Sequence, residues 1–325
     1  MKVLIVGCGA VGQVFGYALH KAGVDLAFYA RTGSAGRLAQ ALEGGGLPLF
    51  QTSYSRRRNP IAQRLENYRV VTDIAESQAF QPDQIWFTTP STVYYSDWYR
   101  EFLQQVPSAR VVCFAPEGAR PEFTPPGVDA DRMVFGGITL IAWQGNLAGG
   151  GGRPEGVNYW LPPLLGIPLM GSEPACRAVG DLLKKGGLRW ARQKPEFGPS
   201  LAAVTAVMLA FVAGLELAGW SLKAYRASPW LRRAAYGTQQ AVLTQLTRPG
   251  CITRELLKLF FSPAGLSLTT FLLPLLFPFD IEKYLKFHYL KTREQTLAVL
   301  DVFAHDGEKR GMEVENIRAM LQGLN

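Results

Sequence analysis

Three glycines near the start of the chain, Gly7, Gly9 and Gly12, stand as G-x-G-x-x-G. That spacing suits a backbone that cradles phosphate. The first glycine makes a tight turn, the second lets backbone approach a pyrophosphate, and the third lets a helix pack on a strand. Ala10 and Val11, between the second and third, would offer free N–H groups at the positive end of the following helix. Context strengthens the motif. Residues 3–6 read as a strand buried on both faces, and residues 14–19 have the apolar spacing of a helix closing at Gly23. The alternative is a plain strand-to-helix turn with no ligand.

Other residues with chemical capacity lie where later strands end. Residues 24–30 read as a second strand, and Arg31-Thr32-Gly33-Ser34 leaves it. An acidic residue there would accept from a ribose 2′-hydroxyl, whereas Arg31 suits a 2′-phosphate, with Thr32 and Ser34 adding hydroxyl donors. The expected cofactor is therefore NADP; the alternative for Arg31 is a solvated loop arginine. Thr88, Thr89, Glu117 and Gly118 lie at the carboxyl ends of further strands, where doubly wound sheets bind ligands. Far along the chain, His288, Lys291 and Gln295 are spaced i, i+3 and i+7, so one continuous helix would carry all three on one face. A proton donor, a cation and an amide together suit binding and protonation of a carbonyl or keto acid. The alternative is a solvated polar stripe. His20 and His305 read as surface residues.

The elements that position these residues fall into two parts. Up to about Arg192, strands and helices alternate in the manner of a doubly wound parallel sheet. Helices are expected over residues 36–43, 96–103 and 173–185, and strands over 68–72, 84–89, 109–114 and 188–190. Residues 47–67 read as a polar, arginine-rich connection, with Arg56-Arg57-Arg58 a solvated loop. Strands over 133–143 and 157–161, flanking a glycine-rich tip at 149–152, read as antiparallel additions to the sheet. Beyond Pro195 strand signals vanish. The chain is expected to divide into a Rossmann domain, 1–192, and a mainly helical domain, 193–325.

Two apolar stretches of the second part raise the question of a membrane. Residues 199–222 are long enough to span a bilayer, with Glu216 the only acid. The many Ala and Gly residues suit a central helix buried in a helical domain instead. Residues 266–279, interrupted by Pro274 and Pro278, read as a buried turn between helices.

A chain of 325 residues, 48% hydrophobic and 18% charged, is an ordinary globular composition. The net charge of +8 and pI near 9.3 suit an anionic cofactor and substrate, and no nucleic-acid motif accompanies them. The four cysteines, Cys8, Cys113, Cys176 and Cys251, have neither metal-ligand nor disulfide spacing, so no metal is expected. Met1-Lys2 runs straight into the first strand with no secretory signal, which points to the cytoplasm.

The N-terminal Val-Gly-x-Gly-Ala-Val-Gly, the arginine after the second strand and the helical second half together resemble the ketopantoate reductase family. The closing segment, residues 307–316, is similar as well. The resemblance implies reduction of 2-dehydropantoate with NADPH at a site between two domains, with Gly7, Gly9, Gly12 and Arg31 on the cofactor. The family's catalytic lysine and asparagines have no counterpart in residues 199–208, its Asn-Gly reads Glu117-Gly118, and its usual lysine after the fourth strand reads Pro90-Ser91. Gln295 or Glu294 falls near the family's acidic residue for the substrate hydroxyl. The expected function is an NADPH-dependent reductase of a small or medium keto-acid-like substrate, acting as a homodimer. The competing reading is an NADP(H)-binding regulatory protein that has lost catalysis.

Overall fold

The computed structural model describes residues 1–55, 58–114, 123–145, 147, 156–193, 198–245 and 251–325, with backbone alone at 198–202, 251–254 and 257. The chain divides into two compact units, Met1–Gly198 and Pro199–Asn325. The fold class is α/β, a Rossmann-type sheet followed by a helical region.

The first unit is built on β1 (Lys2–Val6), β2 (Asp25–Tyr29), β5 (Arg69–Val71), β6 (Gln84–Phe87), β7 (Arg110–Phe114), β8 (Met133–Gly136), β11 (Ile167–Met170) and β12 (Trp190–Arg192). They form one sheet in the order β12-β11-β8-β7-β6-β1-β2-β5. All neighbours are parallel except β8 and β11. Continuous burial explains the aliphatic run of β1, where Val3, Leu4 and Ile5 are fully buried. The order reverses between β1 and β6, which opens a crevice at their carboxyl ends. Helices α1 (Ala10–Lys21), α2 (Thr32–Glu43), α3 (Ile74–Phe80), α4 (Asp97–Gln105) and α5 (Glu173–Lys185) complete the alternation.

Residues 47–67 are not the loop that their polarity indicates. They hold β3 (Leu47–Gln51) and β4 (Ile61–Leu65), which join β9 (Ile141–Gln144) and β10 (Val157–Trp160) in a second sheet ordered β4-β3-β10-β9. This sheet packs over α1: Leu49, Ala142, Val157 and Tyr159 share one buried cluster with Phe15, Ala18 and Leu19. The strands were hidden because they are short and Pro48 interrupts the run, though it pairs opposite Arg64. The segment 133–143 is likewise two strands, not one. β8 extends the main sheet parallel to β7, while β9 crosses into the small sheet and pairs antiparallel with β10. The tip at 149–152 and Arg56-Arg57 lie outside the described residues.

The second unit contains α6 (Gly198–Leu217), α7 (Leu222–Ala227), α8 (Pro229–Gln245), α9 (Cys251–Phe260), α10 (Pro263–Leu276), α11 (Ile281–Lys291), α12 (Arg293–Lys309) and α13 (Glu315–Leu324). Among these α8 is central, packing against α7, α10, α12 and α13. The apolar α6 is shorter than its composition implies, because Gly219 and Trp220 take positive φ and turn the chain. Its later half is buried all round, whereas Val204 and Met208 are exposed. Gly214 lets it approach α8 and α7: an added Cβ would lie 2.6 Å from the Ala234 Cβ and 2.7 Å from the Tyr225 hydroxyl. Glu216 is paired, its carboxylate 2.6 Å from Arg293 Nε, and the Arg293 guanidinium also donates to the Leu324 carbonyl. No single helix among the described residues is long and apolar enough to cross a membrane.

Residues 266–279 are also not a buried turn. Most of them form α10, which runs through Pro274 and exposes much of its apolar surface. Proline at that position removes an N–H and so leaves the Thr270 carbonyl without its helical donor. Arg226 supplies the replacement, with Nη1 donating to that carbonyl at 3.2 Å, and its guanidinium lies 5.8 Å from the Phe271 ring centroid. Arg226→Ala is therefore expected to destabilise the protein by about 1–3 kcal/mol, the cost of an unsatisfied part-buried carbonyl. Denaturant unfolding checks this, and a midpoint unchanged from the parent protein would contradict it.

Candidate functional site

The loop from Gly7 to Gly12 sits at the carboxyl end of β1, at the point where the strand order reverses. Gly7 takes φ +106, a conformation that favours glycine, and directs its carbonyl at the first turn of α1. An added Cβ on Gly12 would lie 2.0 Å from that carbonyl oxygen and 2.7 Å from the Thr88 hydroxyl. The third glycine is thus a steric necessity. Gln13 Nε2 donates to the Cys8 carbonyl at 3.0 Å and holds the intervening turn.

Gly9 differs from its neighbours. It is the N-cap of α1 with φ −70, no side chain caps the helix, and a Cβ built on it meets nothing within 4 Å. The first turn of α1 carries no acidic residue. Ala10 and Val11 open a helix end whose N–H groups face this space without a side-chain acceptor. A cradle of this kind, with backbone donors and room where a side chain would stand, matches a bound pyrophosphate.

Two threonines continue β6. Thr88 does not project a free hydroxyl: its Oγ1 donates to the Gly7 carbonyl at 2.7 Å and clamps the glycine loop. Thr89 Oγ1 is buried and has no hydrogen-bond partner among the described residues. A buried hydroxyl left unpaired costs free energy unless a ligand completes it. Glu117, with Gly118, lies outside the described residues.

At the end of β2, Arg31 is the exposed N-cap of α2, followed by exposed Thr32. Arg37 Nη2 donates to Ser34 Oγ at 3.1 Å on the same first turns. Asp73 and Glu76, whose charges act on Tyr29 of β2, sit at the start of α3. Asp73, the N-cap of α3, accepts from the Glu76 N–H at 2.7 Å, and the Glu76 carboxylate accepts from the N–H and hydroxyl of Thr72, one residue before the cap, at 2.7 and 3.1 Å. Burial raises the phenol pKa of Tyr29, and these two carboxylates add to it. Asp73-x-x-Glu76 was legible as a capping signal. Its consequence, that both acids beside β2 are already engaged, was not.

His288, Lys291 and Gln295 do not share one helix. Lys291 ends α11, Thr292 departs from helical backbone at φ −110 and ψ 20, and Gln295 belongs to α12. The Thr292 Oγ1 donates to the His288 carbonyl at 3.1 Å, one of the ways in which threonine bends a helix. His288 stacks on Tyr284 with centroids 5.4 Å apart and meets Tyr289 edge-on at 4.9 Å. Desolvation in this aromatic setting, together with the charge of Lys291, lowers its pKa to about 4. The imidazole is therefore neutral at pH 7, and Lys291 is exposed beside it. Tyr289 is pushed up to about 12 by burial and stays a neutral phenol. His20 lies in the last turn of α1, and His305 is exposed. Among the described residues no group of three His, Cys, Asp or Glu side chains gathers around a metal site.

Residues 3–100 match the family model described as ketopantoate reductase PanE/ApbA. The fold is a ketopantoate reductase fold. Solved structures carry the likeness along the whole chain. A 2-dehydropantoate 2-reductase from Geobacter metallireducens GS-15 has a TM-score of 0.66 at 13% identity, over 100% of this chain and 99% of that one. A D-mandelate dehydrogenase in a ternary structure with NADH and anilino(oxo)acetate has a TM-score of 0.66 at 15% identity, over 99% and 96%. The probable 2-dehydropantoate 2-reductase panE from Bacillus subtilis reaches 0.64 at 13%, over 99% and 98%. No curated protein sequence matches the chain.

The histidine environment gives a direct check. In a proton NMR titration of the three histidines, assigned with His288→Gln, the His288 imidazole is expected to stay neutral until pH falls to about 4. An ordinary midpoint near 6.5 would contradict the buried stacking.

Proposed function

We propose that this chain is an NADPH-dependent reductase acting on the carbonyl of a 2-keto-acid-like substrate, in the cytoplasm. The observation that carries the cofactor choice is Arg31. It stands exposed at the end of β2 with no ion-pair partner among the described residues, while Asp73 and Glu76 are engaged at the start of α3. A guanidinium so placed suits a 2′-phosphomonoester, and Thr32 adds a hydroxyl beside it. The backbone of Gly7, Gly9, Ala10, Val11 and Gly12 would hold the pyrophosphate, with Thr89 completing its hydroxyl on the ligand.

A bound nicotinamide dinucleotide supplies hydride to a carbonyl carbon. The chain's own residues then have to bind the substrate and stabilise charge that develops on its oxygen. Lys291 supplies the cation. His288, neutral at pH 7, offers an N–H and a flat apolar ring in place of a proton from imidazolium. Gln295, on the next helix, would add an amide contact. The aromatic surroundings of His288 support a substrate bulkier and greasier than ketopantoate, and the dehydrogenase solved with anilino(oxo)acetate is a relative of that kind.

NADPH is expected to bind more tightly than NADH, and Arg31→Ala to remove that preference. The loss of a charge-assisted contact of roughly 1.5–3 kcal/mol lowers NADPH affinity about tenfold to a hundredfold. Fluorescence titration with both cofactors measures it, and equal affinities in the unmutated protein would defeat the assignment. With a substrate found by screening 2-keto acids for NADPH oxidation, Lys291→Ala is expected to slow turnover at least about a hundredfold, near 2.7 kcal/mol of barrier. NADPH affinity should barely change. A mutant turning over at the parent rate would make Lys291 a solvated lysine and nothing more.

A further inference from the structure

Helices α9, α10 and α11 turn an apolar surface to solvent. On α10 the exposed positions Leu268, Phe271, Leu272 and Leu275 recur at i, i+3, i+4 and i+7, one face of a helix, with Phe271 61% and Leu275 71% exposed. No residue of α10 is charged. Leu259 and Phe260 of α9 and Phe287 and Leu290 of α11 extend the exposed apolar surface on the helices that adjoin it. A monomer in water rarely leaves so continuous a patch without a partner.

The charges around the patch indicate which partner. On α11, Lys283 and Lys286 share a face with Phe287 and Leu290. The acids of the hairpin are already engaged. Asp280 accepts from the Lys283 N–H and pairs with the Lys283 ammonium at 3.4 Å, while Glu282 accepts from the Leu222 N–H. Lys286 has no anionic partner among the described residues. An apolar ridge edged with lysine and free of unengaged acid is the pattern of a helix lying in a bilayer interface, with added attraction to anionic lipid. α10 and α11 are bent by 104° where they join, so the pair does not make a straight span.

We propose that the α9–α11 face is an interfacial anchor that rests on an anionic lipid surface, its leucines and phenylalanines in the headgroup layer and Lys286 against lipid phosphate. Nothing in this reading depends on the cofactor or the substrate.

Vesicle flotation tests the anchor with the full chain. The protein is mixed with phosphatidylcholine vesicles that contain or lack phosphatidylglycerol, at low and at high salt. It is expected to float with the anionic vesicles at low salt, to remain below with the neutral ones, and to be released by high salt. Phe271→Ser with Leu275→Ser should lower the bound fraction at least about tenfold, and Lys286→Ala should lower it by less. Circular dichroism melting of each variant shows that the fold is kept, and the lipid and salt arms need no variant at all. Protein left unbound by anionic vesicles overturns the proposal. So does light scattering that shows a dimer of this chain which the Phe271→Ser, Leu275→Ser protein no longer forms.

Discussion

The contact between Gly12 and the Gly7 carbonyl is the constraint on which the first unit depends. A methyl group at Gly12 has no room, since it would overlap the oxygen at 2.0 Å. The absence of that methyl lets α1 lie against the end of β1, and Thr88 fastens the arrangement from β6. From this one close approach follow the direction of α1, the crevice beside Gly9 and the ceiling that the small sheet forms over α1. Four short strands form that ceiling, and their buried residues merge with those of α1 in one cluster.

The second unit depends on arginines that satisfy groups the apolar helices cannot satisfy themselves. Arg293 neutralises Glu216 inside an otherwise apolar helix and caps the end of α13 through the Leu324 carbonyl. Arg226 takes the carbonyl that Pro274 leaves open. Both are long-range contacts between residues with no sequence relationship. They explain why a helix survives a proline and why a lone acid is tolerated in a greasy segment.

This is also where the sequence stops being legible. The glycine spacing, the aliphatic run of β1 and the span of α5 could be read directly, because each rests on local periodicity or on a backbone need. Residues 47–67 were unreadable because short strands buried on one face leave only two or three apolar positions to detect. In residues 266–279 proline signals a helix break, and the residue that repairs it lies more than forty positions away. The face assigned to His288, Lys291 and Gln295 assumed an uninterrupted helix, and Thr292 interrupts it. His288 is a neutral ring among tyrosines for a reason that only tertiary packing supplies.

Gly9 separates a phosphate cradle from a mere turn better than any other position. Its φ of −70 is open to any residue, and a Cβ there touches no protein atom within 4 Å. Gly9→Ala should therefore melt within a degree or two of the parent protein, about the uncertainty expected of a neutral surface change. The same methyl would stand in the space that the proposed pyrophosphate takes. Titration of Gly9→Ala with NADPH is the measurement that reaches the central claim. The account predicts an unchanged melting temperature with at least about a tenfold loss of NADPH affinity, near 1.4 kcal/mol. Parent-like affinity in the folded variant would mean that no dinucleotide lies across this loop.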